Sequence, residues 1–446
     1  MHLSDLLALA ATSIAFTARS TDISWLHSTG AMSPKKKKAT GGGRLQPTDE
    51  FPSSSSTAAG ARGNLSMKVR VGIVGLPNVG KSTLFNALAR KSQAQAENFP
   101  FCTIDPNVAQ IAVPDPHLDR LGALAKSART VPATMEFVDV AGLVSGASRG
   151  EGLGNRFLAT IRECDAVCHL LRNFEDGGVV HVDGRVDPAA DAGVVNLELV
   201  LADAAHVERR LEKPSCRGEE RDTLEALLPN LQKGTPARAV GLSESAKRSI
   251  KSMGLLTLKP ILYIFNVDEV DFLLAKDEAL VKIKEILGSI EYCDPSRDRF
   301  TLVSAKLEAE VSTKSREDQL EYLRSVGLDL TSEEEINHIF SYSTLPSMIL
   351  PLLNLGLLYT GPGVPPSRSR TTRAHIFRRS AAPTAAYMAG RLHGDIQKGF
   401  IKAEVVPAKM LLEHPSHTAA KDAGCVRTEG KDYVMSSDDV LLVKWK

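Results

Sequence analysis

Residues 75–82 read Gly75-Leu76-Pro77-Asn78-Val79-Gly80-Lys81-Ser82, a complete G-x-x-x-x-G-K-[ST] phosphate loop. The mostly apolar run Val69 to Val74 before it predicts a strand, and the stretch Ser82 to Arg90 after it predicts a helix. This order of strand, loop and helix is the one that the motif requires. Backbone N–H groups of such a loop face phosphates, its lysine reaches the β- and γ-oxygens, and its serine hydroxyl ligates Mg²⁺. We expect Lys81 and Ser82 in these two roles.

Two further segments supply groups for the metal and the γ-phosphate. The loop Phe99-Pro-Phe-Cys-Thr103 places Thr103 where a switch threonine would reach both. The segment Met135-Glu-Phe-Val-Asp-Val-Ala-Gly142 is an apolar strand that ends in D-x-x-G. We therefore expect Asp139 to hold the metal through water and the Gly142 amide to bind the γ-phosphate.

The base pocket is predicted from two later segments. The apolar run from Pro260 ends in Asn266-Val-Asp-Glu269, where a guanine-selective enzyme would carry N-K-x-D. Glu269 is longer than aspartate and Val267 lacks the lysine stem, so guanine loses its anchor, whereas the Asn266 amide can pair with the N6/N7 edge of adenine. The segment Thr301-Leu-Val-Ser-Ala-Lys306 then closes the pocket with S-A-K. The sequence therefore predicts tighter binding of ATP than of GTP.

Together these motifs predict an α/β fold, a P-loop G domain with a mostly parallel sheet. The expected nucleotide-binding residues are Asn78, Val79, Gly80, Lys81, Ser82, Thr83, Gly142, Asn266, Val267, Glu269, Ser304, Ala305 and Lys306. The expected metal-binding residues are Ser82, Thr103 and Asp139.

The motifs extend well beyond a bare phosphate loop. Residues 75–86, 98–107, 142–155 and 266–269 resemble the Obg-related YchF family, also called Obg-like ATPases, and the likeness runs from about Met67 to the C-terminus. Phe174 to Pro188 resembles the bacterial branch more than the eukaryotic cytosolic one. The resemblance implies a G domain interrupted by a helical arm and followed by a TGS domain of β-grasp type. It also implies ATP hydrolysis with weaker GTP use, and association with ribosomes.

The water-activating residue differs from that of Ras-like enzymes. Leu143 follows the D-x-x-G motif where those enzymes carry a glutamine that orients water. The resemblance implies that His181 is the catalytic residue instead, since a histidine titrating near neutrality can orient or deprotonate water. His169 is a rival, but its apolar surroundings favour a structural role. By analogy with related G domains, Asn78 is a candidate ligand for K⁺ beside Mg²⁺.

The chain divides into three expected parts: an extension at 1–66, a G domain at 67–340 interrupted by an arm at 196–254, and a TGS-like domain at 353–446. In the arm, apolar residues at helical spacing between Leu197 and Leu211, and again between Leu224 and Leu231, predict an α-hairpin. Compared with the family that the chain resembles, we expect a shortened arm. Helical patterns are also predicted around 315–325 and 332–341.

Composition restricts the possible functions. The 446 residues are 43% hydrophobic, which is ample for packed cores, but the net charge of +1 gives no global case for nucleic-acid binding. The six cysteines include no C-x-x-C pair, so neither a disulfide scaffold nor a zinc site is indicated. No apolar stretch approaches the roughly 20 residues that span a bilayer. We expect a monomer without a membrane partner.

The first 66 residues differ from the rest in composition. They combine a short apolar segment with lysine, glycine and serine runs and few acids, which predicts a disordered organellar targeting segment. Met1 to Asp5 carry no Lys or Arg, so an unstructured extension, with Met32 or Met67 as the true start, is the alternative. We expect a plastid first, a mitochondrion second, and the cytoplasm as the alternative location.

Two function classes remain open. The first is a slow Mg²⁺-dependent ATPase whose hydrolysis resets a ribosome-associated switch, and the second is a nucleotide-gated ribosome- or RNA-binding protein with incidental hydrolysis. A conventional translation GTPase is a third alternative, against which the N-x-x-E motif argues. A basic stretch could contact ribosomal RNA or could simply be solvated. Its members are Arg368, Arg370, Arg373, Arg378 and Arg379.

Overall fold

The computed structural model describes residues 68–98, 107–140, 152–175, 185–273, 276–294, 297–325, 339–361, 371–392 and 394–446. Residues 62–446 form one compact unit. The extension at 1–66 lies outside the described residues. Among the helices that are described, none combines the length and the apolar character needed to cross a bilayer.

The first sheet carries the G-domain motifs. The described part of the chain up to Val303 contains seven strands: β1 (Arg70–Val74), β2 (Val108–Ala112), β3 (Arg129–Val131), β4 (Thr134–Asp139), β5 (Ala166–Arg172), β6 (Ile261–Asn266) and β7 (Arg299–Val303). All except β3 join this sheet, in the order β2-β4-β1-β5-β6-β7. Strand β2 is antiparallel to β4, and the other neighbours are parallel. The predicted mostly parallel α/β sheet is confirmed.

The sequence of the central strands explains their position. Every residue of β5 and β6 is buried, as expected for strands covered on both faces. Their apolar and β-branched residues suit such a site. Since the carboxyl ends of parallel strands meet at one edge, the ends of β1, β4, β6 and β7 lie together there.

Helices cover this sheet or extend from it. Those outside the arm are α1 (Lys81–Asn98), α2 (Leu118–Leu124), α3 (Gly152–Glu163), α7 (Glu269–Leu273), α8 (Lys276–Ser289), α9 (Ala305–Val311), α10 (Arg316–Ser325) and α11 (Ser341–Leu352). The arm contains α4 (Pro188–Leu211), α5 (Glu219–Gln232) and α6 (Glu244–Ser249). The helix expected near 315–325 is confirmed as α10. Most of the one expected at 332–341 lies outside the described residues, and α11 begins where that pattern ends.

The arm is an α-hairpin, as predicted. Apolar residues of α4 and α5, among them Val200, Val207, Leu224 and Leu231, pack into one buried cluster. Helix α4 begins at Pro188, before the expected boundary at 196. The reason is that the Asp187 carboxylate accepts a bond from the Ala190 N–H, at 3.0 Å, which caps the helix there.

Two polar contacts hold the ends of the arm. Near the turn, Arg210 donates to both carboxylate oxygens of Glu220 at 2.8 and 2.7 Å. At the base, the buried Asp203 carboxylate accepts bonds from the N–H groups of Leu256 and Thr257, at 2.9 and 2.8 Å, and from the Thr257 hydroxyl at 2.7 Å. These bonds fix the return of the chain toward β6.

The second sheet forms the C-terminal part. Its own strands are β8 (Leu355–Thr360), β9 (Thr371–Arg378), β10 (Phe400–Pro407), β11 (Arg427–Glu429) and β12 (Asp439–Trp445). The short helices beside them are α12 (Ala385–Leu392), α13 (Gly394–Lys398), α14 (Ala408–Leu412) and α15 (His417–Asp422). The strand order is β11-β10-β12-β8-β9-β3, with β12 parallel to β8 between two antiparallel pairs. Helix α12 packs on this sheet through Met388, which gives the predicted β-grasp arrangement.

Strand β3 joins the two sheets. Although it lies between β2 and β4 in the chain, it pairs in parallel with β9, with Thr130 opposite Thr372. The hydroxyls of Ser127 and Thr372 are 2.7 Å apart beside this pairing. The G domain therefore supplies the edge strand of the C-terminal sheet, a connection that was not predicted.

Part of the basic stretch contributes to the same junction. Arg378 Nη2 lies 3.4 Å from Asp165 Oδ1, and burial lowers the pKa of Arg373. Arg379 is exposed, whereas Arg368 and Arg370 lie outside the described residues. Arg373 and Arg378 are therefore partly buried or paired within the fold, which the sequence did not indicate.

Candidate nucleotide site

The phosphate loop connects β1 to α1 in an unusual backbone conformation. Asn78 has φ +62° and Gly80 has φ +97°. A Cβ atom on Gly75 would lie 2.4 Å from the Leu170 carbonyl oxygen, and one on Gly80 would lie 2.4 Å from Asn266 Nδ2. Both glycines of the motif are thus required by close approach to neighbouring strands. Asn78 and Val79 belong to this loop, and Lys81, Ser82 and Thr83 form the start of α1.

Lys81 is held inside this loop. Its side chain is 8% exposed, and its Nζ donates a hydrogen bond to the Leu76 carbonyl oxygen at 2.6 Å. Burial lowers the pKa of Lys81 to about 8, although the charge of Asp139 opposes the shift. The lysine is therefore pre-positioned by the loop backbone, in the place from which the motif predicts that it contacts phosphates.

Asp139 stands at the end of β4, opposite Ile73 in the register with β1. Burial raises the pKa of Asp139, and the nearby Lys81 charge works in the other direction. Ser82 lies exposed in the first turn of α1. A hydroxyl and a carboxylate are oxygen donors of the kind that Mg²⁺ prefers, so this pair fits the expected metal. The other two groups expected to contact metal or γ-phosphate, Thr103 and Gly142, lie outside the described residues.

Asn266 connects the phosphate loop to the S-A-K loop. Its Nδ2 donates to the Val79 carbonyl oxygen and its Oδ1 accepts from the Ala305 N–H, each at 2.9 Å. The amide oxygen is thus directed at backbone, and one Nδ2 hydrogen remains for a base. A single donated bond to N7 is available to adenine and guanine alike. The expected two-point pairing with the adenine N6/N7 edge would also use the second lone pair of the amide oxygen, and it stays a prediction.

The remaining pocket residues divide into buried and exposed groups. Val267 is buried, and its N–H donates to the Val303 carbonyl oxygen at 2.9 Å. The buried Ser304 caps α9, where its hydroxyl accepts from the Leu307 N–H. Beyond them, Lys306 Nζ lies 3.1 Å from one carboxylate oxygen of Glu269. The structure brings the two predicted base-pocket segments together at the carboxyl edge of β6 and β7.

Of the two candidate histidines, His169 lies in the described part of the chain and His181 does not. His181 and Leu143 lie outside the described residues, so the catalytic assignment stays a prediction. His169 lies in β5, is 1% exposed, and stacks at a tilt on Tyr263 with 5.7 Å between ring centroids. Burial lowers the pKa of His169 to about 3. These surroundings agree with the structural role expected for it.

Arg172 was not singled out from the sequence. It is buried at the end of β5, in register with Asn266, and its Nε donates to the Phe174 carbonyl oxygen at 3.2 Å. Its guanidinium also lies over the Phe174 ring, 4.6 Å from the centroid. The charged residue ending an otherwise apolar strand was the available signal. Arg172 fixes the start of the segment that leads to His181.

Comparison with known proteins agrees with the family resemblance of the motifs. Residues 70–198 match the family model described as "50S ribosome-binding GTPase", and residues 368–446 match the model YchF-GTPase_C, described as a protein of unknown function. The chain is 41% identical over 386 residues to the ribosome-binding ATPase YchF of Haemophilus influenzae, covering 84% of this chain and 98% of the relative. It is 39% identical over 384 residues to the protein of that name from Bacillus subtilis, with the same coverage.

A eukaryotic relative and a solved structure extend the comparison. Obg-like ATPase 1 of Pongo abelii is 36% identical over 403 residues, covering 86% of this chain and 94% of the relative. The structure of the Schizosaccharomyces pombe YchF GTPase matches with a TM-score of 0.69 and 32% identity, covering 86% of this chain and 100% of that one. With the phosphate loop, the N-x-x-E strand and the β-grasp domain in one chain, these matches place the protein in the YchF family.

Proposed function

We propose that this protein is a Mg²⁺-dependent nucleoside triphosphatase that prefers ATP to GTP and acts as a ribosome-associated regulatory switch. The observation that carries the proposal is the convergence of Lys81, Ser82 and Asp139 with the Asn266 to Glu269 segment at one edge of the sheet. The names of the relatives, ribosome-binding ATPase among them, support both the nucleotide and the partner.

In this proposal the described residues bind and orient the nucleotide. Backbone N–H groups of the loop and of the start of α1 hold the phosphates, and Lys81 moves from the Leu76 carbonyl to their oxygens. Ser82 and Asp139, together with Thr103, would hold Mg²⁺, which neutralises charge on the phosphates when bound. Asn78 remains a candidate K⁺ ligand, and a monomer is the proposed state.

Water activation is assigned to His181 because Leu143 cannot orient a water molecule. His181→Ala should lower the ATP turnover rate by a factor on the order of 100, the scale for loss of acid–base help, with little change in ATP affinity. His169→Ala is unsuitable as a control because that side chain fills the core. Turnover in His181→Ala equal to that of the unmodified protein would remove the assignment.

The switch hypothesis is tested by single-turnover ATP hydrolysis with and without ribosomes. Strong stimulation supports the switch, whereas an unchanged trace rate favours the alternative, a nucleotide-gated ribosome- or RNA-binding protein with incidental hydrolysis. Competition of ATP and GTP against a fluorescent analogue tests the base preference. Equal affinities, or a preference for GTP, would instead support a conventional translation GTPase.

We also propose that residues 1–66 direct the protein to an organelle, a plastid first and a mitochondrion second. The support is their low acid content and short apolar segment. A fusion of these residues to a fluorescent reporter tests the proposal, and a purely cytosolic signal would contradict it.

A further inference from the structure

Glu269 and Lys306 form an ion pair at the mouth of the base pocket. Lys306 Nζ lies 3.1 Å from Glu269 Oε1 and donates to Oε2 at 3.2 Å. Glu269 is the first residue of α7, and Lys306 lies in the first turn of α9. The two helices start at the carboxyl ends of neighbouring strands, so the pair spans the two segments that enclose a base.

The two purines would interact differently with the Glu269 carboxylate. Guanine presents N1–H and an exocyclic amine, two donors that a free carboxylate can accept together. Adenine presents an unprotonated N1 at the same edge, which a free carboxylate would repel. A carboxylate whose two oxygens both face an ammonium group neither attracts guanine strongly nor repels adenine strongly.

Asn266 already directs both ends of its amide to backbone groups. Its amide oxygen is occupied by the Ala305 N–H and its Nδ2 by the Val79 carbonyl, and the one remaining N–H can reach an N7 that both purines carry. The two purines differ most at the N1 edge, so the state of the Glu269 carboxylate should have the larger effect on the choice of base.

We propose that Lys306 is a specificity-determining residue. Its ion pair with the Glu269 carboxylate removes the acceptor that guanine would use and weakens the repulsion between that carboxylate and N1 of adenine. The inference rests on the proposed preference for ATP and names the side chain that sustains it. Lys306 is 71% exposed and Glu269 is 26% exposed. The pair contributes little to folding, as exposed pairs do, and acts by occupying an acceptor.

The test measures dissociation constants of ATP and GTP for Lys306→Ala and Lys306→Gln by competition against a fluorescent ATP analogue. A released Glu269 carboxylate can accept from guanine, so the ratio of GTP to ATP affinity should rise about tenfold to hundredfold, the value of one charged hydrogen bond. Lys306→Arg keeps the charge and should keep the ratio near that of the unmodified protein. Lys284→Ala, at an exposed position on α8, is the matched control and should change neither affinity.

A second series isolates the carboxylate. In a Glu269→Gln background, Lys306→Ala should leave the ratio unchanged, because no charge remains to be released. The inference is overturned if Lys306→Ala keeps the ratio of the unmodified protein, if the ratio shifts equally in the Gln background, or if both neutral variants lose both nucleotides. Failure of the proposed function is a distinct result: the unmodified protein would then bind GTP at least as tightly as ATP, which removes the inference with it.

Discussion

Asn266 directs both ends of its amide to backbone groups of the protein rather than to a base. The bonds to Val79 and Ala305 tie the phosphate loop to the S-A-K loop, and the missing Cβ of Gly80 leaves the space for them. A side chain that connects two nucleotide-binding loops contributes to the affinity for any purine nucleotide. We therefore expect Asn266 to affect both nucleotides.

Asn266→Asp should lower the affinities for ATP and GTP together, about tenfold to hundredfold. The substitution keeps the side-chain shape but places a carboxylate oxygen beside the Val79 carbonyl oxygen, so a hydrogen bond becomes a repulsion. Competition binding of both nucleotides measures the change. Asn230→Asp is the control, because the Asn230 amide donates to the Ala226 carbonyl in the arm, away from the nucleotide site. A loss of ATP affinity much larger than the loss of GTP affinity would show that Asn266 reads adenine.

For single residues, the sequence was most informative where a short motif encodes local backbone geometry. The loop spacing indicated Lys81 for the phosphates and the D-x-x-G strand indicated Asp139 for the metal, and both roles stay predictions. The partners of Asn266, the burial of Val267 and the position of Arg172 beside Asn266 depend on strands that are distant in the chain. Spacing along the chain carries no information on which side-chain atoms such strands bring together.

Helices α9 and α11 are joined by a buried carboxylate. Glu308 of α9 accepts from the N–H of Ser341 at 2.9 Å and bonds to the Ser341 hydroxyl, at the first residue of α11. The residue before α11, Phe340, provides no side-chain cap. Glu308 therefore satisfies one of the N–H groups that the start of a helix leaves unpaired, from another element of the fold. This explains why the sequence pattern around 332–341 did not show where α11 begins.

Glu308 should make the stability of the fold depend on pH. Burial raises the pKa of Glu308 from an ordinary 4.5 to about 7, so the folded state binds its proton more tightly than the unfolded state does. The resulting stabilisation is complete below pH 4.5 and is lost as the pH rises through about 7. Between pH 5 and pH 8 the free energy of unfolding should fall by about 2–3 kcal/mol on this account.

Urea unfolding at the two pH values measures this dependence. Glu308→Gln can keep both contacts to Ser341 without a titrating group, so its loss of stability over the same interval should be smaller by that amount. Glu317→Gln, at an exposed position on α10, should keep the full dependence. Equal pH profiles for the Glu308→Gln variant and the unmodified protein would contradict the assignment.

Strand β3 connects the two sheets of the described part of the chain. Strand β3 lies in the chain between β2 and β4 of the G domain but completes the C-terminal sheet beside β9. Its three residues, Arg129-Thr-Val131, have no alternation long enough to predict a strand, and its partner is more than two hundred residues away. Domain composition was readable from motifs, whereas this junction arises only when the two folded parts meet.

The same junction should couple nucleotide binding to the stability of the C-terminal sheet. Residues 113–133 connect β2 to β4, and within them Asp115 accepts a hydrogen bond from the Tyr359 hydroxyl of β8 at 2.9 Å. Burial, together with the charge of Asp115, raises the pKa of Tyr359, so the hydroxyl remains a donor. Strand β4 ends at Asp139, a residue expected to hold Mg²⁺. A change at the nucleotide site thus has a short structural connection to β8 and β9.

Tyr359→Phe should weaken that coupling. Loss of the hydroxyl leaves the half-buried Asp115 carboxylate with fewer donors, which should lower the free energy of unfolding by about 1–3 kcal/mol. Tyr433→Phe is the control, since the bonds it removes, from the tyrosine hydroxyl to Asp439 at 3.0 Å and from Arg427 to that hydroxyl at 2.8 Å, lie wholly within the C-terminal domain. Hydrogen exchange with and without ATP distinguishes the two. In the unmodified protein and in Tyr433→Phe, ATP should slow exchange in β8 and β9. In Tyr359→Phe that protection should shrink, while protection of the phosphate loop persists. Equal protection of β8 and β9 in both variants would show that the Asp115 contact stabilises the junction without transmitting the effect of the nucleotide.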